Sequence, residues 1–307
     1  MYPGEGIEYS IYLSERRMEA ISMPLKETEE TSQFSFEPFA AHLFYTAVNR
    51  SLVQRALAPL AELPQTTPLT IVDMGCGTGA ITRLIAEEMC RQGRQARILG
   101  IDPSAVALYH ARKSMEEMGA TAEFLQGEAT DLPHFIQQSN AVFFCNAIHL
   151  LSDKRLAFEH MAAILVPGGI FACNSAFYEG TNVEETTRFS RLWIRRAVGW
   201  LRKEHPEVRL SREARTAAMQ WLTPEEYASQ LKQSGFCSVD VDQEQVWMPQ
   251  DSLRDLGHYS LFIEGALPGA PLALGAAALG ATVYQTCQEL QLREVPRMWL
   301  QLIATKA

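Results

Sequence analysis

The sequence predicts an α/β fold built on an open, doubly wound sheet, and three features of the chain support this prediction. Residues 69–74 form an apolar, β-branched run that is typical of a buried strand. A glycine-rich turn follows at once, and a helix is expected from about Thr78 towards Cys90. Two more apolar runs, 97–102 and 141–146, end in polar residues, as strands of open α/β sheets do where they meet ligands. With 307 residues, 47% of them hydrophobic, the chain can bury a large core.

A polar segment precedes the first predicted strand and leads into an aromatic-rich helix. Residues 1–33 are polar and mixed in charge, which predicts a solvated linker, and residues 1–37 are assigned to an N-terminal extension. A helix is expected over about 38–61, ended by Pro64. Its aromatic side chains can be core residues that pack the helix on the sheet. Alternatively, part of this segment covers a bound ligand.

The turn after the first strand lets a ligand approach the backbone. Gly75, Gly77 and Gly79 can adopt positive φ angles, and amide groups at the start of the next helix can point at a polar or anionic ligand. The turn satisfies the GxGxxG/A pattern of dinucleotide-binding proteins. However, its third glycine comes one position early, and Asp73 stands two residues before the first glycine. The turn alone therefore predicts a nucleotide-like ligand and leaves its identity open.

The segment Ile71-Val-Asp-Met-Gly-Cys-Gly-Thr-Gly79 resembles the first motif of the class I S-adenosylmethionine-dependent methyltransferases, which reads roughly (hydrophobic)-D-x-G-C-G-x-G. The resemblance implies a Rossmann-like sheet of seven strands, the last of them antiparallel. It also implies S-adenosyl-L-methionine as the cofactor. The methionine end of that cofactor would lie against Asp73, Gly75, Cys76, Gly77 and Gly79.

The next two landmarks fit the same family in the same order. Asp102, followed by Pro103, ends the second predicted strand, and the resemblance implies that its carboxylate accepts hydrogen bonds from the ribose hydroxyls. The segment Phe124-Leu-Gln-Gly-Glu-Ala-Thr-Asp-Leu-Pro133 is similar to the family's G-D-A-x-x-L-P segment, which meets the adenine ring. Here Glu128 replaces the usual Asp. Contacts with adenine are therefore expected from Glu128 and from the backbone of Ala129.

The last two landmarks belong to the fourth and fifth predicted strands. In the family, Asn146 would border the cofactor. The turn Leu165-Val-Pro-Gly-Gly169 looks like the family's L-x-P-G-G entry into the fifth strand. The five landmarks together cover about residues 70–180, roughly a third of the chain.

The family's chemistry is direct displacement at a methyl carbon, so the protein must mainly align the reactants and exclude water. Such alignment can lower the barrier by about 7 to 11 kcal/mol. A general base, worth about 10² to 10⁴-fold, is useful only if the acceptor must lose a proton. His149 is the candidate base, because the resemblance places it near the methyl group. The alternative is a histidine that only packs or caps a helix. The residues expected to contact the acceptor are His42, Tyr45, His149, Tyr178 and Trp193.

Two helical insertions are expected to form a cap over the acceptor. The methyltransferase domain is assigned to residues 38–307; its core covers about 66–177, 222–248 and 296–307, and the cap insertions cover about 178–221 and 249–295. A capping-box pattern at Thr181-Asn-Val-Glu184 predicts a helix start within the first insertion. The arginines of this insertion predict a solvated basic face, or else a surface that meets an acidic substrate or carrier protein.

The composition of the chain indicates which kinds of partner it binds and where in the cell it is located. The net charge of −9 argues against a nucleic-acid partner, which usually binds a basic face. Six cysteines without CxxC spacing, and residues 1–10 without a signal-type pattern, predict a cytoplasmic protein. The uncharged stretch 265–283 is rich in glycine and alanine, and two prolines interrupt it, which favours a packed helix over a membrane span. No metal is expected, because Cys145-Asn-Ala147 stands where metal-dependent relatives carry acids.

The predicted function is transfer of a methyl group to a small, partly apolar metabolite. One alternative keeps the fold and the cofactor but catalyses a non-methylating reaction, such as a cyclisation. Another is a nicotinamide-dependent oxidoreductase, against which the glycine spacing and Asp73 argue. The sequence leaves open the acceptor, the atom that is methylated and the oligomeric state, because the acceptor pocket is built outside the family motifs.

Overall fold

A computed structural model describes residues 34–211 and 221–307 of the chain. The predicted N-terminal linker and part of the first cap insertion lie outside these residues. The strands are β1 (Leu69–Met74), β2 (Ala96–Asp102), β3 (Glu123–Gln126), β4 (Ser139–Cys145), β5 (Leu165–Ser175), β6 (Phe236–Pro249) and β7 (Glu294–Lys306). The helices are α1 (Glu37–Ala40), α2 (Leu43–Ala61), α3 (Ala80–Arg91), α4 (Ala105–Met118), α5 (Leu132–Phe135), α6 (Lys154–Ile164), α7 (Glu184–Glu204), α8 (Pro224–Gln233), α9 (Gln250–Leu256), α10 (Ser260–Ala266) and α11 (Leu272–Leu290).

The seven strands form one sheet in the order β3-β2-β1-β4-β5-β7-β6. The first five strands are parallel to one another, whereas β7 lies between β5 and β6 and runs antiparallel to both. This confirms the predicted Rossmann-like sheet with its antiparallel last strand. The strand order reverses between β1 and β4, and in open α/β sheets the crevice at such a reversal is where ligands bind.

The first strand, turn and helix form as predicted, with one difference at the helix start. Residues Leu69–Met74 are almost completely buried, because the central strand is covered by helices on both faces. The amides of Gly75 and Cys76 both donate to the carbonyl of Ile101 in β2, at 2.7 and 3.1 Å, which fixes the turn beside β2. Helix α3 begins at Ala80 and not at Thr78, because Gly79 has a φ of 88° and is the N-cap.

The single helix expected over residues 38–61 is wrong, since the structure has two helices there. Helix α1 ends at Ala40, and α2 begins at Leu43 after His42, whose ψ of 141° is extended. The His42 Nε2 atom lies 2.8 Å from Asp255 Oδ2 in the cap helix α9. This contact joins the segment between α1 and α2 to the cap helix α9 and holds the chain extended between the two N-terminal helices. Beyond it, α2 buries apolar side chains against the sheet, namely Val48, Leu52, Val53, Ala56 and Leu57.

The cap is made chiefly of α7 and α11, which pack against each other along their length. The capping box expected at Thr181 is wrong, because α7 begins at Glu184 with Val183 as its N-cap. The Thr181 hydroxyl is fully buried and donates instead to the carbonyls of Ala176 and Met298, both at 2.8 Å. It therefore joins the end of β5 to β7 and is not available to the helix.

The uncharged stretch forms the packed helix α11, as the sequence predicts. Pro271 is its N-cap, and the Trp193 Nε1 atom of α7 donates to the Leu279 carbonyl at 2.9 Å. At Gly275 an added Cβ would come within 2.3 Å of Ile263, so only a glycine allows α10 to approach this closely. Within the described residues, every helix falls short of the length and hydropathy that a bilayer crossing needs.

Candidate functional site

The three glycines after β1 play different structural parts. A Cβ at Gly75 would come within 3.0 Å of Phe144, and one at Gly79 within 3.2 Å of Ala111, so these two positions are glycine because neighbouring elements pack closely on them. At Gly77, with a φ of 53°, an added Cβ would meet nothing within 4 Å. The middle of the turn therefore faces open space at the carboxyl edge of the sheet, where a ligand can lie against bare backbone.

Asp73 is a buried carboxylate that lacks part of its hydrogen bonding. Its Oδ2 atom accepts from the Thr82 hydroxyl at 2.6 Å. Its Oδ1 atom is buried and has no partner among the described residues. Burial raises the pKa of Asp73 to about 7, and the charge of Asp102 adds to this increase. Since buried polar atoms are nearly always satisfied, this oxygen suits a ligand that brings a donor, and a cationic donor best of all.

Asp102 lies at the same carboxyl edge of the sheet as Asp73, and its side chain also holds the glycine turn in place. Its Oδ2 atom accepts from the Gly77 amide at 2.8 Å, and its Oδ1 atom accepts from the Ser104 amide at 2.9 Å. The carboxylate therefore ties the turn to the end of β2. The next residue, Pro103, accepts from the Gln126 side-chain amide at 2.9 Å. The predicted ribose contact of Asp102 stays a prediction, and the bracing of Gly77 is an additional function that the sequence did not indicate.

The segment expected to meet adenine forms a tight turn after β3. Residues Ala129–Asp131 are a single 3-10 turn, and the Glu128 amide donates to the Asp131 carboxylate at 2.8 Å. Ala129 is buried, while Glu128 is exposed. This geometry leaves the Glu128 side chain at the surface, and the predicted adenine contacts stay predictions.

Asn146 is held in an unusual conformation by a buried network of amides. Its φ is 56°, which for a residue other than glycine costs about 1 to 3 kcal/mol and persists only where the surroundings impose it. Its amide donates to the side-chain oxygen of Asn174 at 3.1 Å, and its Nδ2 donates to the Tyr45 hydroxyl at 2.9 Å and to Asn49 Oδ1 at 3.2 Å. Asn174 Nδ2 also donates to Asn49 Oδ1, at 2.8 Å. The network joins α2 to the ends of β4 and β5.

His149 lies beside this network in a 3-10 turn after β4. Its Nδ1 is 3.1 Å from the Ser175 hydroxyl, and its ring centroid is 4.5 Å from that of Phe177. Burial lowers the pKa of His149 to about 3, and the positive charges of Lys154 and Arg297 lower it further. The imidazole is therefore neutral at pH 7 and, in this environment, a weak base.

A small cavity of about 10 Å³, room for about one water molecule, lies next to Asn146. Its walls come from parts of the chain that are far apart in sequence: the segment before α2, the loops after β4 and β5, the end of β6, α9 and β7. Among the described residues, the lining holds four aromatic and two polar side chains, namely Phe36, Phe39, Phe177, Trp299, Asn146 and Arg297. The cavity therefore combines an apolar body with one amide and one cation.

The residues predicted to contact the acceptor divide into two groups. Tyr45 and His149 lie at the ends of β4 and β5, where the Tyr45 hydroxyl accepts from Asn146 Nδ2 and His149 Nδ1 contacts the Ser175 hydroxyl. Tyr178 and Trp193 are placed in packing positions. The Tyr178 hydroxyl donates to Gln243 at 2.9 Å, and its ring is buried in the main core.

Trp193 is buried between α7 and α11. His42 pairs with Asp255 between α1 and α9, and Phe44 stacks on its ring. None of the five residues predicted to contact the acceptor, Tyr45 and His149 included, belongs to the cavity lining. The arginines of α7, including Arg188 and Arg191, line a separate open groove that shares no residue with the glycine turn or the cavity.

Comparison with known proteins decides which ligand the turn fits. A family model described as a methyltransferase domain matches residues 71–169, from β1 to the turn within β5. The chain contains a class I S-adenosylmethionine-dependent methyltransferase domain. The cofactor of this methyltransferase domain is S-adenosyl-L-methionine.

Three curated relatives extend this result. The chain is 37% identical over 108 residues to a 2-phytyl-1,4-naphtoquinone methyltransferase of Thermosynechococcus vestitus, an alignment that covers 35% of this chain and 45% of that protein. It is 33% identical over 115 residues to a trans-aconitate 2-methyltransferase of Afipia carboxidovorans, and this alignment covers 37% of this chain and 41% of that protein. A carboxy-S-adenosyl-L-methionine synthase of Wolinella succinogenes is 27% identical over 226 residues, covering 70% and 90%. The methyltransferase domain thus spans less than half of the first two relatives.

Solved structures agree on the fold of this methyltransferase domain. The YcgJ protein of Bacillus subtilis superimposes with a TM-score of 0.53 at 14% identity, covering 85% of this chain and 98% of that one. A phosphoethanolamine N-methyltransferase of Haemonchus contortus, solved with S-adenosylhomocysteine, gives a TM-score of 0.52 at 15% identity, covering 92% and 58%. Both show the same architecture.

The residues of the methyltransferase domain fit the cofactor. The unsatisfied Oδ1 of Asp73 suits the methionine ammonium group, and the open face of Gly77 leaves room for the ligand beside it. No cluster of three or more His, Cys, Asp or Glu side chains with the geometry of a metal site occurs in residues 34–211 and 221–307.

Three polar residues of the site were not predicted from the sequence, namely Asn49, Asn174 and Arg297. The two asparagines left a weak signal, because each interrupts an apolar run: Asn49 follows Val48 in α2, and Asn174 follows Cys173 in β5. Arg297 left none, because a charged residue in a terminal strand usually faces solvent. Only the sheet order places it at the site.

Proposed function

We propose that this protein is a methyltransferase that moves the methyl group of S-adenosylmethionine to a small, partly apolar acceptor. The observation that carries the proposal is the small cavity beside Asn146, with its four aromatic lining residues. It lies at the carboxyl edge of the sheet, where the motif residues also converge. The cavity supports a small acceptor better than the open groove of α7 does, since that groove shares no residue with the motifs.

Several residues have defined tasks in this proposal. Asp73 would accept from the ammonium group of the cofactor, while Gly77 offers its bare backbone and Asp102 accepts from the ribose. Asn146, fixed by its network, would form the boundary between cofactor and acceptor.

The bound cofactor supplies a methyl group on a cationic sulfur. The chain aligns the reactants and excludes water from them. The aromatic side chains keep water out, and holding the reactants in contact can lower the barrier by about 7 to 11 kcal/mol. A proton is removed only if the acceptor carries one on its nucleophilic atom. His149 is the residue that would take it. Because its pKa is lowered to about 3, an anionic ligand near Lys154 and Arg297 is needed to make the imidazole a stronger base.

A second function is kept because of one comparison. The relative that the chain covers over 90% of its length is named a carboxy-S-adenosyl-L-methionine synthase, not a methyltransferase. The same fold and cofactor would then serve a non-methylating reaction. The two functions differ in their products, because only methyl transfer yields S-adenosylhomocysteine together with an acceptor heavier by one CH₂ group.

The test is an untargeted mass-spectrometric assay. The purified protein is incubated with S-adenosylmethionine, methyl-labelled with deuterium, and a small-molecule extract. Methyl transfer predicts S-adenosylhomocysteine and one labelled acceptor. Loss of S-adenosylmethionine without a labelled acceptor would favour the second function. A thermal shift with NAD(H), and none with S-adenosylmethionine or S-adenosylhomocysteine, would refute both.

A further inference from the structure

Arg297 is a buried cation in the wall of the acceptor cavity. It pairs with Val246 in the β6–β7 ladder, and β7 pairs with β5 only from Leu300 onwards, where the partner is Ser175. Because β7 is antiparallel, its first residues extend past the carboxyl ends of the parallel strands. Arg297 is therefore carried to the edge where the cofactor motifs end, and only 6% of it is exposed.

In the described part of the chain, the guanidinium group makes one hydrogen bond and one cation–π contact, and Tyr178 also acts on its charge. Its Nε donates to the Ala176 carbonyl at 2.7 Å, and its central carbon lies 4.8 Å from the centroid of the Phe177 ring. Neither Nη atom donates to a described residue, and no described Asp or Glu forms an ion pair with it. Burial lowers the pKa of Arg297 to about 10, so the group remains cationic at pH 7.

Such a side chain is costly unless something offsets its charge. A buried charge without a counterion is destabilising, and in folded proteins buried charges are generally paired. The backbone does not need this arginine either, because the Ala176 carbonyl also accepts from the Thr181 hydroxyl at 2.8 Å. Arg297 also lines the small cavity, together with four aromatic residues. An anion supplied by the ligand would explain all three observations: that the buried arginine has no counterion, that the backbone does not need it, and that it lines the cavity.

We propose that Arg297 binds the carboxylate of the acceptor, so that the protein acts on a small carboxylic acid. The planar fork of an arginine matches a carboxylate through two parallel hydrogen bonds. A phosphate is a poorer match, because Arg297 is the one cation among the described lining residues and a dianion would keep an uncompensated charge. The inference rests on the proposed function, since it names the substrate class of the same site.

The bound carboxylate would also act on the neighbouring histidine. His149 and Arg297 contact the same ring, Phe177, and the positive charge of Arg297 is one cause of the low pKa of His149. The other charged group that acts on His149 is Lys154, whose ammonium donates to the Leu151 carbonyl at 2.7 Å. An anion at Arg297 cancels part of this positive field. Acceptor binding would therefore make His149 a stronger base only when the substrate is in place.

The test measures binding of defined probes in the presence of saturating S-adenosylhomocysteine. The probes are benzoate, phenylacetate and cyclohexanecarboxylate, each with its neutral primary amide, and binding is followed by saturation-transfer NMR and calorimetry. At least one acid is expected to bind the wild-type protein more tightly than its amide does. Arg297→Met should weaken that acid roughly 10- to 150-fold and leave the amide unchanged, and Arg297→Lys should have an intermediate effect.

A matched control separates ligand binding from folding. Arg94 is equally buried, 6% exposed, but donates to the carbonyls of Leu63, Pro64 and Thr67 at the other edge of the sheet. Arg94→Met should lower the thermal midpoint and leave acid binding intact, whereas Arg297→Met should not lower the midpoint.

The outcomes that overturn the inference are distinct from those that overturn the proposed function. If no acid binds the wild-type protein although S-adenosylhomocysteine does, or if Arg297→Met destabilises the fold as Arg94→Met does, Arg297 is structural and the inference fails. If the wild-type protein binds neither S-adenosylmethionine nor S-adenosylhomocysteine, the proposed function itself fails.

Discussion

Substitution of the central glycine of the turn gives a sharp test of where the cofactor binds. At Gly77 an added side chain meets nothing within 4 Å, so valine there fits the protein but would occupy the space assigned to the ligand. The φ of 53° adds backbone strain of about 1 to 3 kcal/mol. In a domain of this size, each kcal/mol lowers the thermal midpoint by about 2 to 4 °C. We therefore expect Gly77→Val to fold with a lower midpoint and to lose cofactor binding.

The matched control is Gly119→Val. Gly119 ends α4 with a φ of 66°, and a Cβ there also meets nothing within 4 Å, so the strain is similar while the site is untouched. S-adenosylhomocysteine at about 100 times its Kd should stabilise the native state by about 2.7 kcal/mol. That corresponds to a rise in midpoint of about 5 to 10 °C. By differential scanning fluorimetry, the wild type and Gly119→Val should show this rise and Gly77→Val should not. A full rise in Gly77→Val would mean that the turn is misassigned.

Three further results are expected. Asp102→Ala should weaken S-adenosylhomocysteine binding by about 1.5 to 3 kcal/mol in calorimetry, through the lost ribose contact and the loss of its hydrogen bond to the turn; unchanged affinity would move the ribose site elsewhere. Cofactor affinity should rise between pH 6 and pH 7.5, because the pKa of Asp73 is raised to about 7 and its carboxyl must lose a proton when the ammonium group binds. Calorimetry in buffers of different ionisation enthalpy would detect this proton release as a change in the heat of binding. An affinity that does not depend on pH would contradict the prediction. Asn49→Leu should destabilise the protein by about 1 to 3 kcal/mol in urea unfolding, since Asn146 and Asn174 lose a shared acceptor; wild-type stability would show that the network is not needed.

The central part of the fold could be predicted because its signals are local. A buried strand, a glycine turn and a helix follow one another within Leu69–Arg91, and each has a recognisable composition. The number of strands and the antiparallel last strand came from the family resemblance, since periodicity cannot show which strands are neighbours.

The features that could not be predicted depend on contacts between distant residues. The break between α1 and α2 is held by His42 and Asp255, which are 213 positions apart. The Thr181 hydroxyl has a capping-box pattern in the sequence but finds better partners in β5 and β7 once these strands meet. Arg297 becomes a buried cation only because β7 lies between β5 and β6. In each case tertiary packing overrides a plausible local preference.

The antiparallel course of β7 brings a C-terminal stretch of the chain to the edge where the cofactor motifs end. The motif residues lie within 69–175, whereas Met248, Leu256, Arg297 and Trp299 of the cavity lining come from 248–299. Exchange of residues 248–299 between relatives of this chain would therefore alter these four lining residues and leave the glycine turn unchanged. The other lining residues would stay in place, namely Phe36, Phe39, Asn146, Ala176 and Phe177.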